Sequence, residues 1–155
     1  MSKIEGKIMQ IRKTILKDIP ELALLYKQFW NEDSSIKLME KKFKDLQGNP
    51  NYILISAVEG NQLVGSVFGI ICEELYGECR PFLVIEDLIV DYKHRRKGIG
   101  KALMSEIEKI AIEYDCYQML FITENDRTDT IEFYESIGFN PNTHKGFKKQ
   151  LARKN

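Results

Sequence analysis

Glu86 and Asp87 interrupt an apolar run, with Phe82-Leu-Val-Ile before them and Leu88-Ile-Val after, and a basic glycine-bearing turn, Arg95-Arg-Lys-Gly-Ile-Gly, follows soon after. Gly98 and Gly100 let the backbone turn tightly and let a ligand approach without Cβ atoms in the way. A helical apolar pattern starts at Ile99, so the free N–H groups of the first turn and the positive end of the helix dipole face outward from the glycines. Arg95, Arg96 and Lys97 add cationic side chains around the same spot, and together these features form a cradle for phosphate. A pair of carboxylates in a dry strand beside such a cradle points to proton transfer in a reaction on a phosphate-bearing cofactor.

The elements that hold these residues follow from periodicity. Phe82 to Val90 reads as a buried strand, and Ile99, Ala102, Leu103, Ile107, Ile110, Ala111 and Tyr114 form one helical stripe behind the cradle. Upstream, Ile8 to Thr14 reads as a first strand. Asp18 and Pro20 open a helix carrying Leu22, Ala23, Tyr26, Phe29 and Trp30, with Asp18 expected as its N-cap. A second, shorter helix carries Ile36, Met39, Phe43 and Leu46 and stops at Gly48. Tyr52 to Val58 and Leu63 to Cys72 form a hairpin around Gly60-Asn61, and Gly65 and Gly69 in its second arm predict a bulge or the close approach of another segment. Tyr117 to Thr123 is a further strand, Thr130 to Ile137 a short helix stopped by Gly138, and the chain from Phe139 to Lys148 one or two closing strands. Strands alternating with helices around a central hairpin predict a mixed sheet in an α/β (α+β) domain, one domain over residues 1–155.

Composition narrows the function classes. Lys plus Arg equals Asp plus Glu at 23 each, which gives no footprint for nucleic acid or an anionic membrane, and the basic run Lys148 to Lys154 reads as a solvated terminus. Cys72, Cys79 and Cys116 are odd in number and lack C-x-x-C spacing, so neither a disulfide framework nor a metal site is expected. The first eight residues hold no apolar core of a targeting peptide, and the expectation is a reduced, cytoplasmic protein. His94 reads as a solvated loop residue, and His144 has no partner visible in sequence.

Two familiar phosphate motifs do not fit. A dinucleotide fingerprint needs a third glycine where Leu103 stands, and a P-loop needs Ser or Thr where Ala102 stands as well as an earlier glycine. Arg95-x-x-Gly98-x-Gly100 after Asp87-Leu-Ile-Val, with Phe133-Tyr-Glu-Ser-Ile-Gly-Phe downstream, resembles the GNAT superfamily of acetyl-coenzyme A dependent N-acetyltransferases. The resemblance spans nearly the whole chain, and the Glu86-Asp87 pair looks most like the small-amine and diamine branch. It implies the GNAT acyl-CoA N-acyltransferase fold, a mixed, mostly antiparallel central sheet flanked by helices. It also implies that the coenzyme pyrophosphate sits on the N–H groups of Arg96, Lys97, Gly98, Ile99, Gly100 and Lys101, with Arg95 beside them. The pantetheine arm would lie along Leu88, Ile89 and Val90 like an added strand, in a splay towards the Tyr117 to Thr123 strand, with the Val90 N–H polarising the thioester. Further cofactor contacts fall by resemblance to Asn125, Arg127, Thr130 and Phe133. Arg127 stands where many family members carry asparagine, seven residues before the tyrosine.

Acetyl transfer to an amine requires that an alkylammonium, with a pKa of about 10.4, lose its proton first. Glu86 is the expected base, directly or through water, because its apolar neighbours should raise its pKa from about 4.3 towards neutrality. Strand alternation places Asp87 on the opposite face from Glu86, with base or substrate-binding work as its alternative role. Tyr134 is the expected acid, since a phenol of pKa about 10 can protonate a thiolate whose conjugate acid lies at about 8.5. The resemblance implies that its hydroxyl meets the coenzyme sulfur. The expected function is acetyl transfer from acetyl-coenzyme A to a primary amine of a small molecule or protein, without a metal. A catalytically idle acetyl-coenzyme A sensor is the alternative. Family habit adds a homodimer, and the acidic Glu73 to Glu78 loop leaves a polyamine, an aminoglycoside or a protein amine open as acceptor.

Overall fold

A computed structural model of the chain describes residues 2–4 and 7–154. Met1, Glu5 and Gly6, part of the N-terminal stretch considered for targeting, lie outside the described residues, as does Asn155. The chain forms two compact units, Met1–Phe121 and Ile122–Asn155.

The first unit holds strands β1 (Ser2–Ile4), β2 (Lys7–Lys13), β3 (Tyr52–Glu59), β4 (Gln62–Cys72), β5 (Phe82–Val90) and β6 (Met119–Leu120), with helices α1 (Ile19–Trp30), α2 (Ile36–Gln47) and α3 (Ile99–Glu113). The strands pair in sequence order, antiparallel throughout except for the parallel pair β5–β6. The short β1 was not expected from the sequence. The expected strand Tyr117 to Thr123 shrinks to Met119–Leu120, which pairs with β5 only at Leu83 and Val84.

Asp18 stands at the N-cap position of α1, but its side chain makes no cap bond to the helix. Its carboxylate instead accepts both Arg12 guanidinium nitrogens, at 2.7 and 2.9 Å, and the Ile15 N–H at 2.9 Å. Burial pushes the carboxyl pKa upward, and the Arg12 and Ile15 hydrogen bonds outweigh it and hold the group below its ordinary range. A bidentate cation competes better for a carboxylate than a lone amide does.

Two bulges decide which face each side chain takes. Ala57 pairs with Gly65 but Val58 with Leu63, leaving Val64 extra, and Phe68 pairs with Asp87 but Gly69 with Ile85, leaving Glu86 extra. An extra residue breaks strict alternation. Leu63 and Ile89 therefore join Ile19, Leu22, Leu25 and Val58 in a core under α1. Gly65, Gly69 and Leu83 belong to the side covered by α3.

Both expectations for the β4 glycines hold, since each lies beside a bulge and beneath α3. A Cβ at Gly65 would sit 3.1 Å from Ile99 Cγ2 and from Leu103 Cδ1, and one at Gly69 would collide with Ile107 Cδ1. Ile107 is 0% exposed and has nowhere to retreat. Gly69→Ala should lower stability by about 1–3 kcal/mol, read as a fall in the thermal midpoint. An unchanged midpoint would show that α3 yields freely.

The second unit holds α4 (Thr128–Ser136), after which Gly138 takes φ +100°. The expected closing strands are not formed, as residues 139–154 carry no strand. Phe147 is 92% and Leu151 83% exposed, so this stretch presents no apolar face whose burial would fix a register.

Candidate active site

The cradle is a helix N-terminus reached through a tightly tied turn. Gly98, at φ +79°, is the N-cap of α3, and the Ala102 N–H makes an i→i−4 bond to the Gly98 carbonyl at 3.0 Å. The N–H groups ahead of Ala102 in the helix have no intrahelical acceptor by geometry. A Cβ on Gly98 would meet no protein atom within 4 Å, so the cradle opens to space. Arg96 also adopts positive φ, at +60°, in the turn that leads there.

Asp91 anchors that turn. It is 7% exposed, and its carboxylate accepts from Gln28 Nε2, from the Lys93 N–H and from His94 Nδ1, each at 2.9 Å. The Tyr92 N–H donates to Gln28 Oε1 at 3.2 Å, and His94 Nε2 lies 3.4 Å from Glu59 Oε2. Burial pushes Asp91 up, and the bonds from Gln28, His94 and Lys93 outweigh it and hold the carboxyl below its ordinary range. His94 is thus not a solvated loop residue. Its side chain is 14% exposed and bridges two carboxylates. The Asp91-x-x-His94 spacing was a local signal for half of this network, whereas Gln28 and Glu59 arrive from distant elements.

The open edge of β5 leads to the same turn. Among the described residues no strand pairs with β5 on the β6 side beyond Val84. The Asp91 N–H donates to Val64 O on β4 at 2.9 Å, so alternation turns the N–H and carbonyl of Val90 towards the open edge. Arg95 Nε donates to that Val90 carbonyl at 3.2 Å.

The carboxylate pair sits at the bulge, and here two expectations change. Glu86 is exposed, so the dry setting expected for it belongs instead to the half-buried Asp87. Burial, with the charge of Glu86 adding to it, pushes Asp87 up to about 6. Strict opposition of the two side chains also fails, because Glu86 is the extra residue of the bulge. Asp87 in turn raises the phenol of Tyr26 on α1, whose burial is the larger cause.

In the second unit, Tyr134 is 8% exposed, with Phe133 and Phe139 edge-on to its ring at 5.2 and 5.7 Å. Burial pushes its phenol up to about 12, the nearby Arg127 opposing. Arg127 occupies the N-cap position of α4 and accepts the Ile131 N–H at 3.0 Å, while Thr130 lies in the first turn and Asn125 precedes the helix.

Comparison with known proteins agrees with this architecture. N-alpha-acetyltransferase 30 of Xenopus laevis is 32% identical over 84 residues, covering 54% of this chain and 30% of that protein. Glucosamine 6-phosphate N-acetyltransferase of Trypanosoma brucei brucei is 34% identical over 55 residues, covering 36% of this chain and 35% of that protein. The chain thus spans about a third of the length of these relatives. An aminoglycoside N-acetyltransferase solved in complex with CoA shares the fold with a TM-score of 0.80 at 17% identity, covering 96% of this chain and 98% of that one. The model of the acetyltransferase (GNAT) family matches residues 19–139, most of the chain, and the chain belongs to that family.

Proposed function

We propose that the protein transfers an acetyl group from acetyl-coenzyme A to a primary amine, in a ternary complex and with no metal. The observation that carries this reading is the glycine-capped start of α3 beside an unpaired edge of β5 and a raised carboxylate at the β5 bulge. The relatives given above are named as N-acetyltransferases of glucosamine 6-phosphate, of an alpha nitrogen and of an aminoglycoside, which supports an amine as acceptor.

A diphosphate suits the cradle, because N–H groups and a helix dipole converge where no side chain intrudes. Arg96, Lys97, Gly98, Ile99, Gly100 and Lys101 would hold it, with the arm of the coenzyme along Leu88 to Val90. Bound there, acetyl-coenzyme A supplies a thioester whose carbon accepts the amine lone pair, a C–N bond forming as the C–S bond breaks.

The chain's own residues then manage protons. Asp87, poised near 6, is ionised at neutral pH yet basic enough to take a proton from the arriving ammonium. Glu86, exposed beside it, attracts the cation, so the order of roles within the pair is the reverse of that expected from sequence. The Val90 N–H faces the edge where a thioester oxygen would need a donor. Tyr134, raised to about 12, keeps its proton at neutral pH and can give it to a thiolate. Its role rests on that chemistry and on the family motif. Tyr134→Phe should lower kcat roughly tenfold to a hundredfold and leave acetyl-coenzyme A affinity within about twofold. Full turnover in that variant would remove Tyr134 as the acid.

Thiol release from acetyl-coenzyme A, measured with and without a panel of primary amines, tests the reading as a whole. Amine-dependent release is the expected result. Coenzyme-induced thermal stabilisation with no amine-dependent release would replace it with a sensor of acetyl-coenzyme A.

A further inference from the structure

Asp87 shares its surroundings with an aromatic group from α1. Tyr26 packs against the core cluster that includes Ile89, two positions along β5 from Asp87, and its ring meets that of Trp30 edge-on at 5.3 Å. Phe29 also meets the Trp30 ring edge-on, at 4.8 Å. Tyr26 and Phe29 pack against the core under α1, whereas Trp30 is left 46% exposed. Spacing of i, i+4 puts Tyr26 and Trp30 on one face of the helix, so a half-buried phenol and an exposed indole follow one another along it. Lys27 Nζ, the cation a phosphate would seek, already meets Asp33 Oδ1 at 2.7 Å.

We infer that Tyr26 and Trp30 set the acceptor class: a primary ammonium on an apolar, aryl-bearing arm, its head at Asp87 and its arm along the two rings. This rests on the acetyl-transfer reading for its place in the reaction, while the binding itself requires no turnover. An ammonium beside a carboxylate supplies orientation, and an aryl group against an exposed indole and phenol removes apolar surface from water on both partners. A phosphorylated amino sugar would meet no unpaired cation in Lys27, and a short alkylamine would leave Trp30 uncovered.

Trp30 is the single tryptophan of the chain, so its emission reads this surface directly. In the unmodified protein loaded with coenzyme A, phenethylamine should change that emission saturably, with a Kd at least about tenfold below that of ethylamine. Tyr26→Leu should bring the two amines to within about threefold of each other. Equal affinities in the unmodified protein, no saturable change with phenethylamine, or tighter binding of spermidine or glucosamine 6-phosphate would each overturn the inference. The two readings fail separately. Phenethylamine binding without thiol release would sink the transfer reading, and thiol release from every amine without preference would sink this one.

Discussion

Asp87→Asn should reduce kcat by roughly a hundredfold to ten-thousandfold, the range lost when a positioned base is removed, and leave the affinity for acetyl-coenzyme A nearly unchanged. The pH profile gives the sharper signature. A base works only when deprotonated, so kcat/KM of the parent should rise with pH through a limb near 6, set by the raised Asp87. The variant should lose that limb and retain only the rise due to the amine itself at far higher pH. Stability should move the other way from activity. A carboxyl whose folded pKa lies above its unfolded value binds its proton more tightly in the folded state, so stability is greatest below the unfolded pKa and declines as pH rises through about 6. Asn carries no such charge. At pH 8 the variant should therefore melt no lower than the parent, despite its lost turnover. A variant that kept its rate, or kept the limb near 6, would return the base to Glu86 or to water.

Gly98→Val should abolish coenzyme binding without unfolding the protein. The side chain would meet no protein atom, so the direct penalty is backbone strain at φ +79°, about 1–2 kcal/mol. The space it fills is the mouth of the cradle. In the parent, acetyl-coenzyme A at about a hundred times its Kd adds roughly 2.7 kcal/mol, a rise of about 5–10 °C in a chain of this size. That rise should vanish in the variant. Gly77 serves as the control, because it too has positive φ, +60°, and open space around it, but lies in the loop between β4 and β5. Gly77→Val should lose a similar amount of stability and keep the full coenzyme response. If both variants responded like the parent, the cradle would be misplaced.

What the sequence made legible was whatever depends on near neighbours along the chain. The apolar stripe from Ile99 to Ala111 predicts α3, Gly60-Asn61 predicts the β3–β4 turn, and the glycines at 98 and 100 mark the cradle. The β5 bulge was not legible, because an extra residue exists only relative to a partner strand, and it decided which of Glu86 and Asp87 is dry. The clamp on the cradle turn was equally hidden, since Gln28 on α1 is 63 positions from Asp91. Asp18 misled for a related reason: a good capping residue was taken by Arg12, a better partner that no capping pattern includes. The closing strands rested on the apolar residues from Phe139 on, of which Phe139 packs on Tyr134 while Phe147 and Leu151 stand in solvent.

The Gln28 amide joins two ligands' territories. It grips Asp91 and the Tyr92 N–H at the turn into the cradle, and it sits on the same helix as Tyr26 and Trp30. Whatever steadies one end of this strut steadies the other. If coenzyme fixes the turn, part of the ordering of α1 is already complete when the amine arrives, and the amine must by thermodynamic reciprocity strengthen the coenzyme's hold by the same factor. Under the acetyl-transfer reading proposed above, the expected signature of this strut is mutual: a gain in affinity for either substrate once the other is bound, equal in the two directions.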